Sequence, residues 1–203
     1  MLLARGNVMN KGEITRQRII EEAAPIFNQR GYAGCSMQDV MEATGLEKGG
    51  LYRHFESKEE LAAEAFRFAL SRAFALRRQG VDEIENRMER LRYVVKRFVE
   101  VPSPMPGGCP LMNAAIDSDD GNPVLRGLAK DGITEWKGRL CKMIKEGIER
   151  GEIRKGTDSR RIANSIIAAL EGGLMISRLE GNRTAVRDAG AMLDRMLDGI
   201  VAD

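Results

Sequence analysis

Apolar positions recur every three to four residues in one segment after another, and glycine, proline or short polar runs separate the segments. That spacing belongs to helices that bury one side. It predicts a first helix over residues 15–30, with Ile19 or Ile20, Ala23 and Phe27 on its apolar stripe. Pro25 falls inside it and predicts a kink or a locally lost hydrogen bond. Gly31 closes it, and Tyr32 is expected to pack on the segment that follows. Longer helices are predicted over 58–79, 82–101, 124–150, 159–179 and 184–200, with a bend at Asp131-Gly132. A short helix over 111–117 stands between PSPMPGGCP and DSDDGNP, whose prolines and glycines cannot continue a helix. No segment carries a convincing strand alternation. The reading is all-α, with about nine helices.

Residues 36–58, SMQDVMEATGLEKGGLYRHFESK, hold the densest local signals. Ser36 is a hydroxyl N-cap with Asp39 three residues on. Met37, Val40 and Met41 make one apolar face. Gly45 supplies a left-handed residue that stops the helix and turns the chain. Leu46 plugs the turn, and Leu51, Tyr52 and Phe55 are the large residues of a second short helix. Ser57 then caps a long helix with Glu59 and Glu60 in its first turn, where carboxylates suit the dipole. Helix, glycine turn and short helix form a helix-turn-helix, whose second helix enters the DNA major groove. A small core of Ile20, Phe27, Val40, Leu46, Leu51 and Phe55 is expected under it.

Composition changes this picture little. The chain has 203 residues, 43% hydrophobic and 31% charged, enough for one or two domains with a sizeable core. No apolar run is expected to approach the roughly 20 residues of a membrane span. The start, MLLARGNVMNKGE, has no signal-peptide pattern and is expected to be a disordered arm, so the chain is expected in the cytoplasm. Net charge is only +2, and residues 1–60 hold eight Lys and Arg against nine Asp and Glu. Bulk charge therefore does not predict nucleic-acid binding; the direction of the cations must. Cys35, Cys109 and Cys141 are scattered and His54 is the only histidine. This argues against a disulfide framework, a zinc site and most histidine-based catalysis. No cofactor motif is present, and the chain is read as a non-enzyme.

The run GYAGCSMQDVMEATGLEKGGLYRHFESKEEL resembles the DNA-binding signature of the TetR family of bacterial transcriptional regulators, over residues 15–61. The resemblance implies a three-helix head at 13–57 on a larger helical ligand-binding and dimerisation body at 58–203. It implies that Lys48 and Gly49 touch bases or the nearby backbone, that Tyr52 and His54 donate to phosphates, and that Ser36, beside Met37, and Lys58 face the backbone from helix N-termini. Gly49 and Gly50 remove bulk where a helix must approach sugar and phosphate; they could also be loop residues ahead of a later helix start. Tyr52 could instead be core, and His54 a cap. Two departures stand out. Glu47 occupies a position where family members often carry a capping Ser or Thr, and Gly50 one where they often carry a base-touching side chain.

An effector cavity is expected between the body helices, with Phe66, Leu70, Met105, Met112, Asn113, Trp136 and Met143 as candidates and Asn113 as polar handle. Cys109, in GGCPLMNAAID, would lie near its mouth by resemblance to a subset of the family. The last two long helices are expected to build a homodimer as a four-helix bundle through Ile166, Leu170, Gly173, Leu174, Met192 and Met196. The leading expectation is a repressor released from an inverted-repeat, double-stranded operator by a small molecule. The alternatives are a thiol or electrophile sensor using Cys109 and, more distantly, an all-helical enzyme.

Overall fold

The computed structural model describes residues 10–202. Most of the expected N-terminal arm lies outside them, but its last part is helical. Asn10 and Glu13 form a reciprocal capping box, so α1 begins at Lys11, earlier than expected, and is traced to Gly34. The chain remains helical through Pro25, and the interruption falls at Gly31, with φ 74°. The following elements are α2 Met37–Thr44, α3 Lys48–Tyr52, α4 Lys58–Arg78, α5 Arg87–Glu100, α6 Pro110–Asp117, α7 Pro123–Glu149, α8 Ser159–Leu179 and α9 Thr184–Asp198. That makes nine helices among the described residues. The only β pairing among the described residues is an isolated bridge, Ile153 to Val201.

One boundary and one expected bend differ for local reasons. α5 starts at Arg87 because Asn86 caps it, accepting from Glu89 N–H at 3.0 Å. The predicted start at residue 82 falls in a turn instead. α7 runs unbroken through Asp131-Gly132, where a bend was expected. Gly132 is there for closeness: a Cβ would stand 2.9 Å from Leu111 Cδ1 and from Leu70 Cδ2.

Two apolar clusters form the interior. One gathers Ile19, Val40, Leu51, Phe55, Leu61 and Ala65 under α1 to α4. The other gathers Leu91, Leu140, Ile144, Ile166, Leu170 and Leu193 among α5 to α9. α4 serves both, with Leu61, Ala65 and Ala69 in the first and Ala62 and Phe66 in the second. The first cluster is larger than expected, and Phe27 and Leu46 are only partly buried at its rim.

α8 is more apolar than the sequence reading allowed. It contains an 18-residue window of mean hydropathy 1.3, long and apolar enough to cross a membrane by length and composition. Its arginines lie toward the ends, and Ala, Gly, Ile and Leu fill the middle apart from Glu171. Only one face, Ala163, Ile166, Leu170 and Gly173, is buried in the fold, against α7 and α9.

Candidate functional site

α2 and α3 are set by the signals that the sequence carries. Ser36 Oγ accepts from Asp39 N–H at 3.1 Å, and Asp39 Oδ2 accepts from Ser36 N–H at 2.7 Å. The Ser36 hydroxyl, which donates to Asp39 Oδ2 at 2.6 Å, then the Ser36 N–H and the Arg30 guanidinium, hold the Asp39 carboxyl at a pKa of about 2. Gly45 takes φ 65° and turns the chain. Glu47 occupies the N-cap of α3 and makes no capping bond. Leu51 and Phe55 are buried, whereas Tyr52 is 43% exposed, so Tyr52 is not core. Lys48, Gly49, Tyr52 and Arg53 are exposed around α3, and Gly50, His54, Met37 and Lys58 are half-buried. Lys48 Nζ lies 5.9 Å from the Tyr52 ring centroid. Tyr32 does not pack on the helix-turn-helix as expected. It lies against the body cluster, with Lys58 Nζ 4.3 Å above its ring.

Gly49 and Gly50 lie inside α3, not in a loop ahead of it. A Cβ on Gly49 would meet nothing within 4 Å, and one on Gly50 only Leu46 at 3.7 Å. The protein itself therefore does not need glycine here. Gly49→Ala should raise helix propensity by about 1 kcal/mol. If the space is reserved for nucleic acid, the same change should weaken operator binding by about 1–3 kcal/mol per head through crowding. Melting and filter-binding measurements on one variant test both halves.

The head joins the body at the break in α1. With Gly31 out of helical conformation, Asn28 C=O and Tyr32 N–H lose each other as partners. α6 supplies both replacements. Asn113 Nδ2 donates to Asn28 O at 2.9 Å and to Gly107 O at 2.9 Å, and Asp117 Oδ2 accepts from Tyr32 N–H at 2.6 Å. Asn28 Nδ2 in turn donates to Pro106 O at 2.6 Å. A Cβ on Gly107 would lie 2.6 Å from Asn28 O, so only glycine admits this approach.

The effector candidates do not converge on one cavity. Phe66 and Asn113 border a void of only about 40 Å³ between α1, α4 and α6, room for little more than a water. Met105 is buried in the head cluster, and Leu70 and Met112 pack against the body cluster. Trp136 and Met143 line a cavity of about 420 Å³ between the C-terminal end of α4, α5 and α7. Residues that the sequence reading missed line the same space: Phe74, Arg77, Arg87, Arg90, Phe98 and Arg139. Trp136 stacks on Phe98 at 5.7 Å and 13°. These arginines read in sequence as the solvated sides of amphipathic helices. The one local hint was the aromatic-arginine spacing of FALRR.

Of the expected dimer residues, Ile166, Leu170 and Gly173 point into the protomer. A Cβ on Gly173 would stand 2.9 Å from Ala189 Cβ on α9. Leu174 and Met196 are half-buried. On these two helices the exposed large apolar side chains are Met175, Ile176 and Leu179 of α8 and Met192 of α9, beside Gly172, whose Cβ would meet nothing within 4 Å.

Cys109 is buried and its thiol donates to Glu171 Oε1 at 2.9 Å. Burial, then the neighbouring Glu171 charge, push its pKa up to about 12. A protonated, buried thiol is a poor nucleophile. In the folded protein at neutral pH, maleimide should label half-buried Cys141 well before Cys109, as mass mapping of a time course would read. Rapid labelling of Cys109 would restore the thiol-sensor alternative. Among the described residues no group of three or more His, Cys, Asp or Glu is placed to hold a metal.

Comparison with known proteins agrees with this architecture. Residues 19–65 match the family model of bacterial regulatory proteins, tetR family, and residues 88–193 that of the tetracyclin repressor-like C-terminal domain. The HTH-type transcriptional repressor DhaR of Mycobacterium sp. (strain GP1) is 28% identical over 170 residues, covering 83% of this chain and 84% of that protein. A TetR transcriptional regulator from Chloroflexus aurantiacus J-10-FL is 40% identical with TM-score 0.91, over 96% of this chain and 100% of its own. A TetR family regulator from Cytophaga hutchinsonii is 36% identical with TM-score 0.90, over 97% and 100%.

Proposed function

The chain belongs to the TetR family of bacterial transcriptional regulators, and from that membership we propose a homodimeric repressor that a small molecule releases from an inverted-repeat operator. The observation that carries the DNA half of this reading is the exposed side of α3. Gly49 there faces open space, Gly50 beside it has only Leu46 within 4 Å, and Lys48, Tyr52 and Arg53 surround them. Phosphate contacts come from Lys58, Tyr52, His54 and the α2 N-terminus at Ser36 and Met37. Bases are approached through Lys48, Gly49 and Gly50. Residues 13–57 act as the head, and residues 58–203 as the body, with α4 shared between their cores. The protein works in the cytoplasm and needs no cofactor.

The dimer forms through Ala168, Gly172, Met175, Ile176 and Leu179 of α8 with Met192 of α9. These residues follow each other at helical spacing on the solvent side of both helices. The two heads then meet major grooves about one helical turn apart, roughly 34 Å. The effector cavity is the space lined by Trp136, Phe98 and Met143. α4 runs from Lys58 at the head to Arg78 at this cavity. A ligand that tilts α4 changes the spacing of the heads, and by linkage the operator weakens the ligand by the same factor.

Lys58→Ala tests the phosphate role. It should weaken binding to specific and random DNA alike and reduce the salt slope by about 0.9 per contact, hence about 2 per dimer. A folded variant with an unchanged slope removes Lys58 from the interface.

A further inference from the structure

The cavity between α4, α5 and α7 has a character that a generic apolar pocket lacks. Its volume, about 420 Å³, suits a small organic molecule. Its floor is aromatic: Phe98 and Trp136 stack, and Phe74 tilts against Trp136 with ring centroids 6.5 Å apart. Its wall is cationic. Some of that charge is already matched: Arg87 Nε pairs with Glu146 at 2.6 Å, Arg78 with Asp82 at 3.3 Å, and Arg139 with Glu135. Arg90 donates to the backbone carbonyls of Ile84 and Asp82 and takes no carboxylate there. Arg77 differs again. Its guanidinium lies 3.9 Å over the Phe98 ring, and its Nε is buried without a hydrogen-bond partner.

An Arg donor buried without an acceptor is costly unless something completes it. The field of Arg77 reaches Glu171, but no hydrogen bond joins the two; burial pushes the Glu171 pKa up, and its Oε1 accepts from the Cys109 thiol. The guanidinium is held over the Phe98 ring at the floor of the cavity. Such a planar fork is suited to a carboxylate or phosphate. We propose that the effector of this protein is an amphipathic organic anion, whose flat or apolar body lies on Phe98 and Trp136 and whose carboxylate or phosphate is received by Arg77. This rests on the reading of the chain as an effector-controlled regulator and adds the chemical class of the effector.

Trp136 is the chain's only tryptophan, so its fluorescence reports this cavity alone. The DNA-free protein is titrated with 2-naphthoate, 1-naphthyl phosphate, the neutral 2-naphthamide and the cationic 2-naphthylmethylammonium. At least one of the two anions should quench Trp136 saturably, about tenfold or more tightly than the amide and the ammonium. The tighter anion identifies the head group as carboxylate or phosphate. Arg77→Gln should abolish that preference, whereas Arg77→Lys should keep part of it; melting curves confirm that both variants fold. Equal affinity for anion, amide and ammonium overturns the proposal. So does the absence of saturable quenching by both anions, or an anion preference that survives Arg77→Gln. The readout contains no operator, so anion binding that leaves DNA affinity unchanged would count against the repressor reading and leave the ligand class standing.

Discussion

Gly172→Arg is expected to give a folded monomer whose operator affinity has fallen by about 10²–10⁴-fold. The protomer has room for the change, because a Cβ at Gly172 meets nothing within 4 Å. Its neighbours on that face are Met175, Ile176 and Leu179, and Leu179 is 83% exposed. A contiguous apolar strip of this kind on two adjacent helices is what an isologous interface covers. A long cation there leaves the protomer's own core untouched and places a charge between two close helices. Each head alone then binds without the effective concentration that its tethered partner supplies, and that term is on the order of 10²–10⁴. The neighbouring glycine separates fold from assembly. Gly173→Arg drives its side chain into Ala189 and the backbone of Ala185 and Val186. It should unfold the protein rather than split a dimer, because α8 and α9 cannot part without opening the core. Sedimentation together with circular dichroism distinguishes the two. A dimeric Gly172→Arg of wild-type affinity would move the interface elsewhere on the molecule.

The contrast between these glycines shows where the sequence was legible. Helical spacing located α8 and α9, and Gly173 does mark a close helix contact, but with α9 of its own chain. Which of two adjacent glycines faces inward depends on helix phase, and a stripe apolar on nearly all sides does not reveal phase. Ile166 and Leu170 were assigned to the partner for the same reason. The head was read more fully because its signals are local: the Ser36–Asp39 box, the Gly45 turn and the Ser57 cap each act within four residues. The cavity was read least. Trp136 and Met143 were found as large apolar residues, but of their cationic neighbours Arg77 comes from α4, and Arg87 and Arg90 from α5. Arg77 and Trp136 are brought together only by tertiary packing, and a solvent-facing arginine has the same sequence spacing as one folded over Phe98. Asn113 was expected to hold a ligand. Its amide is occupied within the protein.

Asn113→Ala is therefore expected to lower stability by about 2–6 kcal/mol, because it leaves two carbonyls without their donor and each unmet buried group costs about 1–3 kcal/mol. Those carbonyls belong to Asn28 and Gly107, each bonded to Asn113 Nδ2 at 2.9 Å. One lies in the head and the other in the loop before α6, so the loss falls at the joint between head and body. Denaturant unfolding should show a lower midpoint with little change in slope. Hydrogen exchange should speed up at the Tyr32 amide, which depends on Asp117 of the same short helix. Asn113→Asp sharpens the test. It is almost the same size, yet it replaces the donor with a carboxylate facing two carbonyl oxygens, so it should be worse than alanine. A ligand handle would behave otherwise: either substitution would leave unfolding and Tyr32 exchange alone and change only effector binding. If the joint transmits the effector signal, Asn113→Ala also reduces the difference between effector affinities measured with and without operator. The coupling factor measured from the DNA side must fall equally. An Asn113→Asp protein as stable as the wild type would show that these bonds do not hold the head.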